Sequence, residues 1–164
     1  MPLLAHWDAG VAPRVCRPDE DRLFRELVRA HGVDPDDQWV GRYVEYEWRH
    51  GRHLIDNGLC PVRGRHVLEF GCNIGATSVV LAALGATVTA VDVDASSIPV
   101  AELNARRYGL DHAMTFLHVP DTTSLPFGNC TFDVISCNSV LEYVRSRDLS
   151  SIQRELHRVL SPRG

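Results

Sequence analysis

The stretch that decides the fold is His66-Val-Leu-Glu-Phe-Gly-Cys-Asn-Ile-Gly-Ala-Thr-Ser78, which is followed at positions 88–92 by Val-Thr-Ala-Val-Asp. Each part contains an apolar run that ends in an acid. The first run continues through a glycine turn into small residues suited to the start of a helix. This succession predicts a strand, a tight turn, a helix and a second strand. Such a βαβ unit is typical of nucleoside-binding folds, in which ligands lie beyond the carboxyl ends of the strands.

The same alternation continues along the chain. Four apolar runs rich in β-branched and aromatic residues predict strands, at 66–70, 87–91, 116–119 and 132–137. Three segments of helical composition or periodicity accompany them, at 75–84, 95–108 and 147–160. Strands that alternate with helices predict an α/β, Rossmann-like parallel sheet of about four strands with helices on both faces.

Two helical patterns precede this unit, at 19–30 and 35–57. We therefore divide the chain into an N-terminal helical segment at 1–60 and a Rossmann-like domain at 61–164. The second pattern is rich in aromatic residues, and two interpretations of it remain open. The helix covers the sheet by packing, or Tyr43, Tyr46 or Trp48 shapes a ligand pocket.

Composition narrows the class of protein. The chain has 164 residues, of which 45% are hydrophobic and 23% charged, and its formal net charge is −4. No basic stripe appears, so a nucleic-acid partner is not favoured. Five cysteines without a Cys-x-x-Cys pair predict neither a disulfide framework nor a zinc site, and reduced thiols indicate a cytoplasmic location. The longest apolar stretch, Val79 to Leu84, is too short to span a bilayer, and the N-terminus lacks the features of a signal peptide.

The turn after the first predicted strand carries the chemistry. Gly71 allows a tight turn, Gly75 allows a ligand or a strand to approach the helix start, and Asn73 tolerates left-handed geometry. The turn lacks the Gly-x-Gly of the dinucleotide fingerprint, which argues against a nicotinamide-dependent oxidoreductase. Glu69 beside it suits a cationic or amine-bearing ligand. Asp92, at the end of the second predicted strand, can accept hydrogen bonds from both hydroxyls of a ribose.

These residues resemble the class I S-adenosylmethionine-dependent methyltransferases, especially their small-molecule branch. The resemblance covers about residues 64 to 164. Five segments carry it in the family's order, at 67–75, 91–94, 119–127, 131–143 and 155–164. The segment after the fourth strand lacks the Pro-Pro-Tyr-type loop of members that methylate amino groups of nucleic acids or protein glutamine, which disfavours that branch. The resemblance implies methyl transfer from S-adenosyl-L-methionine to a small-molecule substrate.

The resemblance also implies site residues. Those that would hold the methionine moiety are Glu69 and the backbone of Gly71, Cys72, Asn73 and Gly75. Those that would contact the nucleoside are Asp92 at the ribose, Asp121 and the Thr122 amide at the adenine amine, and Val93 and Leu125 against the adenine ring. Asn138 would line the cofactor near the methyl group, and the aromatic stretch at 39–48 lies where the family has a substrate lid.

No catalytic residue is assigned, and a general base is required only if the nucleophile is protonated. The candidates left open are His50, His53, His112, His118 and Glu142. His50 and His53 have helical spacing but no third ligand, so no metal site is expected.

The end of the chain departs from the family pattern, whose full fold has seven strands. We expect the strand at 132–137 to form an exposed, apolar edge. The interpretations are a truncated fragment, a partner that supplies further strands, or a homodimer that pairs at this edge. For the function, the alternative is a non-catalytic S-adenosylmethionine-binding scaffold domain or an inactive fragment.

Overall fold

A parallel sheet forms the centre of the protein. The computed structural model describes residues 17–52, 55 and 61–162. Its strands are β1 (His66–Phe70), β2 (Thr87–Asp92), β3 (Met114–His118) and β4 (Val134–Ser136). They pair in parallel in the order β3-β2-β1-β4, so the strand order reverses between β1 and β4. Ligands of open α/β sheets bind at such a reversal.

Helices cover both faces of this sheet. They are α1 (Pro18–Ala30), α2 (Tyr43–His50), α3 (Ala76–Ala83), α4 (Ser97–Arg107) and α5 (Ser146–Val159), with short 3-10 turns at Asp111–Ala113 and Leu141–Tyr143. On one face, α2, α3 and α4 pack against Val67 and Val88, and on the other face α5 packs against Leu68 and Phe70. Because successive side chains of a strand point to opposite faces, one buried strand serves both layers. The predicted Rossmann-like class is confirmed.

The second predicted helix is wrong in its first part. The sequence predicts that this helix begins at residue 35, but residues 35–42 form turns with a bend at 37, and α2 begins at Tyr43. The Asp34 carboxylate accepts a hydrogen bond from the Asp36 amide at 2.9 Å, and the Asp37 carboxylate accepts one from the Trp39 amide at 2.7 Å. These side chains satisfy the amides locally and compete with helical hydrogen bonding. The predicted end of this helix, at 56–57, and the predicted domain boundary at residue 60 fall on residues outside the described ranges.

The expected open edge at 132–137 is also corrected in part. Phe132 is 1% exposed and forms a parallel bridge with Leu160. The Phe132 amide donates to the Val159 carbonyl at 3.0 Å, and the Ser161 amide donates to the Phe132 carbonyl at 2.8 Å. The end of α5 therefore turns back beside the start of this segment, and β4 itself is limited to Val134–Ser136.

Candidate functional site

A cleft of about 500 Å³ lies at the carboxyl ends of the strands. Four chain segments supply its wall: the glycine turn after β1, the end of β2 with Ser97, residues 120–123 after β3, and residues 139, 140 and 143–145 after β4. Asp148 and Ile152 of α5 complete it. A volume of this size accommodates a nucleoside-sized small molecule.

The glycine turn is held by backbone hydrogen bonds to β2. The amides of Gly71 and Cys72 both donate to the Val91 carbonyl, at 2.9 and 3.0 Å. Gly71, Asn73 and Gly75 have positive φ angles of 81°, 47° and 75°. A Cβ at Gly71 would overlap the side chain of Val140, which packs directly on this glycine.

Gly75 has a packing role. A Cβ there would lie 3.0 Å from Cε1 of Phe116 and 3.1 Å from Cβ of Ala101. The absence of a side chain at Gly75 thus allows β3 and α4 to approach the start of α3 closely. The sequence left open whether a ligand or a strand approaches this point, and in the structure it is a strand. Gly75 and Cys72 do not lie on the cleft wall, whereas Gly71 and Asn73 do.

Asp92 joins the turn to the cleft. Its Oδ2 accepts a hydrogen bond from the Asn73 amide at 2.7 Å, and its Oδ1 accepts one from the Asp94 amide at 2.9 Å. A carboxylate offers about four lone-pair positions, so each oxygen retains capacity for a further donor. Asp92 and the exposed Val93 both lie on the cleft wall. This arrangement fits the two hydroxyls of a ribose.

Glu69 lies behind the glycine turn, between β1 and α3. It is 4% exposed, it accepts a hydrogen bond from the Ser78 hydroxyl on α3, and it does not lie on the cleft wall. Burial raises the pKa of Glu69 to about 8, with a further contribution from the nearby Glu47 carboxylate. The alternation of β1 accounts for this, because Glu69 shares its face with Val67 and not with Phe70.

The segment after β3 presents Asp121 and Thr122 to the cleft. Asp121 Oδ1 accepts hydrogen bonds from the Thr123 amide at 2.9 Å and the Thr123 hydroxyl at 2.6 Å, which lowers the pKa of Asp121. Leu125 is buried in the core and does not reach the cleft, so the role predicted for it against the adenine is not supported by its position.

Two side chains of α5, Glu155 and Arg158, hold the loop that follows Asp121 and Thr122. The Glu155 carboxylate accepts a hydrogen bond from the Leu125 amide at 2.8 Å. Arg158 donates to the carbonyls of Leu125 and Phe127, at 3.1 and 2.7 Å, and to Glu155 at 2.7 Å. The hydrogen bonds from Arg158 and the Leu125 amide lower the pKa of Glu155 to about 2. We call these two side chains the Glu155–Arg158 clamp.

The segment after β4 contributes to the cleft wall through residues that follow the predicted Asn138, and not through Asn138 itself. Asn138 is exposed and does not lie on the cleft wall, whereas Ser139, Val140 and Tyr143 do. Ser139 has a φ of 53°, which turns the chain so that Val140 meets Gly71.

Sequence reasoning missed a buried polar pair behind the glycine turn. Asn104 is fully buried and donates from Nδ2 to the Ile74 carbonyl at 3.1 Å, while its Oδ1 accepts from Arg107 at 3.0 Å. Arg107 also donates to Asp21 of α1 at 2.9 Å and to the Gly41 carbonyl at 3.3 Å. The sequence does contain a signal for this pair, because Asn104 and Arg107 lie three residues apart and interrupt the apolar face of α4.

The cleft wall is acidic. Four aspartates lie on it: Asp92, Asp94, Asp121 and Asp148. Arg145, also on the wall, pairs with Asp148 at 2.8 Å. Because the cleft wall carries more acidic than basic side chains, it favours a cationic ligand. Within the described ranges, no group of three or more potential ligands is arranged to hold a metal ion.

None of the candidate bases that the structure describes lies on the cleft wall. His118 Nε2 lies 3.1 Å from the Val93 carbonyl, His112 and Glu142 are exposed, and His50 ends α2. His53 lies outside the described residues. The Cys72 thiol is buried, which raises its pKa and makes it a poor nucleophile.

Comparison with known proteins identifies the family. The methyltransferase domain family matches residues 68–164. A ubiquinone biosynthesis O-methyltransferase from Paracidovorax citrulli is 32% identical over 108 residues, which are 66% of this chain and 44% of that protein. Methyltransferase GfsG from Streptomyces halstedii is 33% identical over 147 residues, which are 85% of this chain and 51% of that protein. The chain therefore belongs to the S-adenosylmethionine-dependent methyltransferases, as its motifs predicted.

A solved structure agrees. An S-adenosylmethionine-dependent methyltransferase from Mesorhizobium loti superposes with a TM-score of 0.57 at 26% identity, covering 71% of this chain and 48% of that one. The cofactor is S-adenosyl-L-methionine, which argues against the nicotinamide-dependent alternative. The chain spans about half the length of the curated relatives it matches.

Proposed function

We propose that the protein transfers a methyl group from S-adenosyl-L-methionine to a small-molecule acceptor. The observation that carries this proposal is the position of Asp92. Its carboxylate fixes the Asn73 amide of the glycine turn and lies on the wall of an acidic cleft of suitable volume. The relatives' names support the acceptor class, because one of them acts in ubiquinone biosynthesis.

The residues present fit the cofactor. Asp92 would accept from the ribose hydroxyls, Asp121 and the Thr122 amide would meet the adenine, and Val93 would pack against its ring. The backbone of Gly71 and Asn73 would hold the methionine part, while Glu69 and Gly75 would support the turn from behind. When bound, the cofactor supplies an activated methyl group on a sulfonium. The contribution of this chain is to position the two reactants and exclude water.

Calorimetric titration with S-adenosylhomocysteine tests the cofactor site. We expect Asp92→Asn to weaken binding by about 10- to 100-fold, because hydrogen bonds to a charged group contribute about 1.5–3 kcal/mol each. The matched control is Asp111→Asn, an acid that pairs with Arg17 away from the cleft. Equal affinity in wild type and the Asp92 variant, or equal loss in both variants, would contradict the proposal.

Three further points are part of the proposal. The chain divides into an N-terminal segment at 1–60 and a Rossmann-like domain at 61–164, and the packing of the described helices α1 and α2 on α4 and α3 supports a covering role for that segment. The outer edge of β4 is covered by a second copy or another partner, which light scattering on the purified chain would test.

The free thiols of Cys72, Cys130 and Cys137 support a reducing compartment such as the cytoplasm. No helix of the described residues is both long and apolar enough to cross a membrane.

A further inference from the structure

The N-terminal helices stand outside the cleft. None of the described residues of α1 and α2 lies on the cleft wall, and this includes Tyr43, Tyr46 and Trp48 of α2. Any influence of these helices on a bound cofactor must therefore pass through contacts behind the wall. One path of such contacts ends at the glycine turn, where Ile74 directly follows the cleft residue Asn73.

Ile74 is held from behind in two ways. Its side chain packs against the buried apolar cluster between α1 and α4. Its carbonyl accepts a hydrogen bond from Nδ2 of Asn104 on α4 at 3.1 Å. At the front of the same turn, the Asn73 amide donates to the Asp92 carboxylate at 2.7 Å. The turn is thus anchored by Asp92 on the cleft side and by Asn104 on the buried side.

The side-chain amide of Asn104 has one orientation that satisfies both of its neighbours. Asn104 is fully buried, and its Oδ1 accepts a hydrogen bond from Nη1 of Arg107 at 3.0 Å. A guanidinium only donates, so Arg107 holds the amide oxygen towards itself and leaves the amide nitrogen for the Ile74 carbonyl, which only accepts. Because an unpaired buried polar group is costly, Arg107 fixes the orientation of Asn104.

Arg107 is in turn held by α1. It is buried, its guanidinium pairs with the Asp21 carboxylate at 2.9 Å, and it lies 4.0 Å from the centre of the Phe24 ring. A buried charge that loses its partner is strongly destabilised, so the position of Arg107 depends on Asp21. The Arg17–Asp111 pair beside α1 is exposed and contributes little to its docking. Undocking of α1 would therefore release the guanidinium that orients the anchor of the glycine turn.

We propose that Asn104 is a positioning residue of the cofactor site, and that Arg107 and Asp21 couple this site to the docking of α1. The inference rests on the proposed cofactor site in the cleft, and it adds residues that act on that site without touching the cofactor. Coupling between two sites is reciprocal. Cofactor binding and the docking of α1 therefore strengthen each other by the same factor.

Calorimetric titration with S-adenosylhomocysteine tests the positioning role, at a temperature at which every variant is folded. Asn104→Asp keeps the size of the side chain and an acceptor for Arg107, but it loses the donor to the Ile74 carbonyl. We expect this variant to weaken binding by about three- to tenfold, the range that corresponds to one hydrogen bond. Ala105→Gly is the control, because it weakens α4 at a buried position without removing a hydrogen bond to the turn, and it should bind like the wild type.

A double-mutant cycle tests the link to α1. Asp21→Asn removes the carboxylate that pairs with Arg107 and should weaken S-adenosylhomocysteine binding by about two- to tenfold, as expected for a residue of a coupled network. The matched control is Asp19→Asn, which removes the same charge from the same first turn at an exposed position and should bind like the wild type. Added to Asn104→Asp, the Asp21→Asn change should cause no further loss, because both act through the same amide.

The possible results separate this inference from the proposed function. Wild-type affinity in Asn104→Asp, or an equal loss in Ala105→Gly, would overturn the positioning role. Equal affinities of Asp19→Asn and Asp21→Asn, or additive losses in the double variant, would overturn the link to α1. If Asp92→Asn loses binding while Asn104→Asp keeps it, only this inference fails. Absence of binding by the wild type would overturn both.

Discussion

At the scale of single residues, one buried carboxyl behind the cleft makes the stability of the protein depend on pH. Glu69 follows the apolar pattern of β1 and is buried against α3, where the Ser78 hydroxyl is its hydrogen-bond partner. The pKa of Glu69 is raised to about 8, so the folded protein keeps a proton there that the unfolded chain loses near pH 4.5. Between these values the unfolded state binds fewer protons, and stability falls as the pH rises.

We therefore predict that Glu69→Gln becomes more stable relative to wild type as the pH is raised from 5 to 8. The glutamine carries no charge at either pH, so the unfavourable ionisation of the buried carboxyl is removed. Urea denaturation of both proteins at the two pH values measures the effect. A difference in unfolding free energy that does not change with pH would show that Glu69 ionises normally.

Gly75 is required for packing as well as for its backbone angle. We predict that Gly75→Ala destabilises the protein more than Gly32→Ala does. Both glycines have a φ near 75°, and an alanine there costs about 1–2 kcal/mol. Only at Gly75 would the new Cβ press against Phe116 and Ala101, which adds about 1–3 kcal/mol for overpacking. Thermal unfolding measures both variants, and equal losses would limit the role of Gly75 to its conformation.

At the scale of elements, one helix positions the loop that follows the cleft residues Asp121 and Thr122. The Glu155–Arg158 clamp on α5 holds the backbone that follows Asp121 and Thr122. Hydrogen bonds to charged partners are directional, so the clamp fixes the loop and does not merely attract it.

We predict that Arg158→Met weakens binding of S-adenosylhomocysteine and speeds amide hydrogen exchange in residues 121–129. The reason is that methionine cannot donate the hydrogen bonds that the Arg158 guanidinium gives to the carbonyls of Leu125 and Phe127. Arg154→Met is the control, because the described hydrogen bonds of that arginine stay within α5. Unchanged exchange at 121–129 in Arg158→Met would mean that core packing of Leu125 alone holds the loop.

At the scale of the whole molecule, Arg107 joins the N-terminal helix to the domain. Its guanidinium lies 4.0 Å from the centre of the Phe24 ring and donates to Asp21, Asn104 and the Gly41 carbonyl. Through Asn104 the same group supports the Ile74 carbonyl of the glycine turn. The N-terminal helix and the glycine turn are thus parts of one hydrogen-bond network.

We predict that Arg107→Met lowers the free energy of unfolding by about 1.5–3 kcal/mol or more, since charged hydrogen bonds of a buried group are lost. Arg106→Met, next to it but half-exposed and paired with Glu20, should change stability far less. Denaturant unfolding compares the two. Similar small effects in both variants would show that apolar contacts of Phe24 and Val28 hold α1 in place.

The sequence by itself determined the α/β class, the order of strands and helices, the glycine turn and the placement of Asp92 and Asp121, because these depend on local periodicity and on chain geometry at strand ends. It also indicated the family through its motifs. The turns at 35–42 arise from local hydrogen bonds of the Asp34 and Asp37 side chains, which the hydrophobic periodicity of the sequence does not reveal. The tertiary structure alone decided that Glu69 and Leu125 face the interior and that Phe132 pairs with Leu160. The position of Arg107 and Asn104 behind the turn likewise depends on contacts between residues far apart in the chain, which local sequence patterns do not encode.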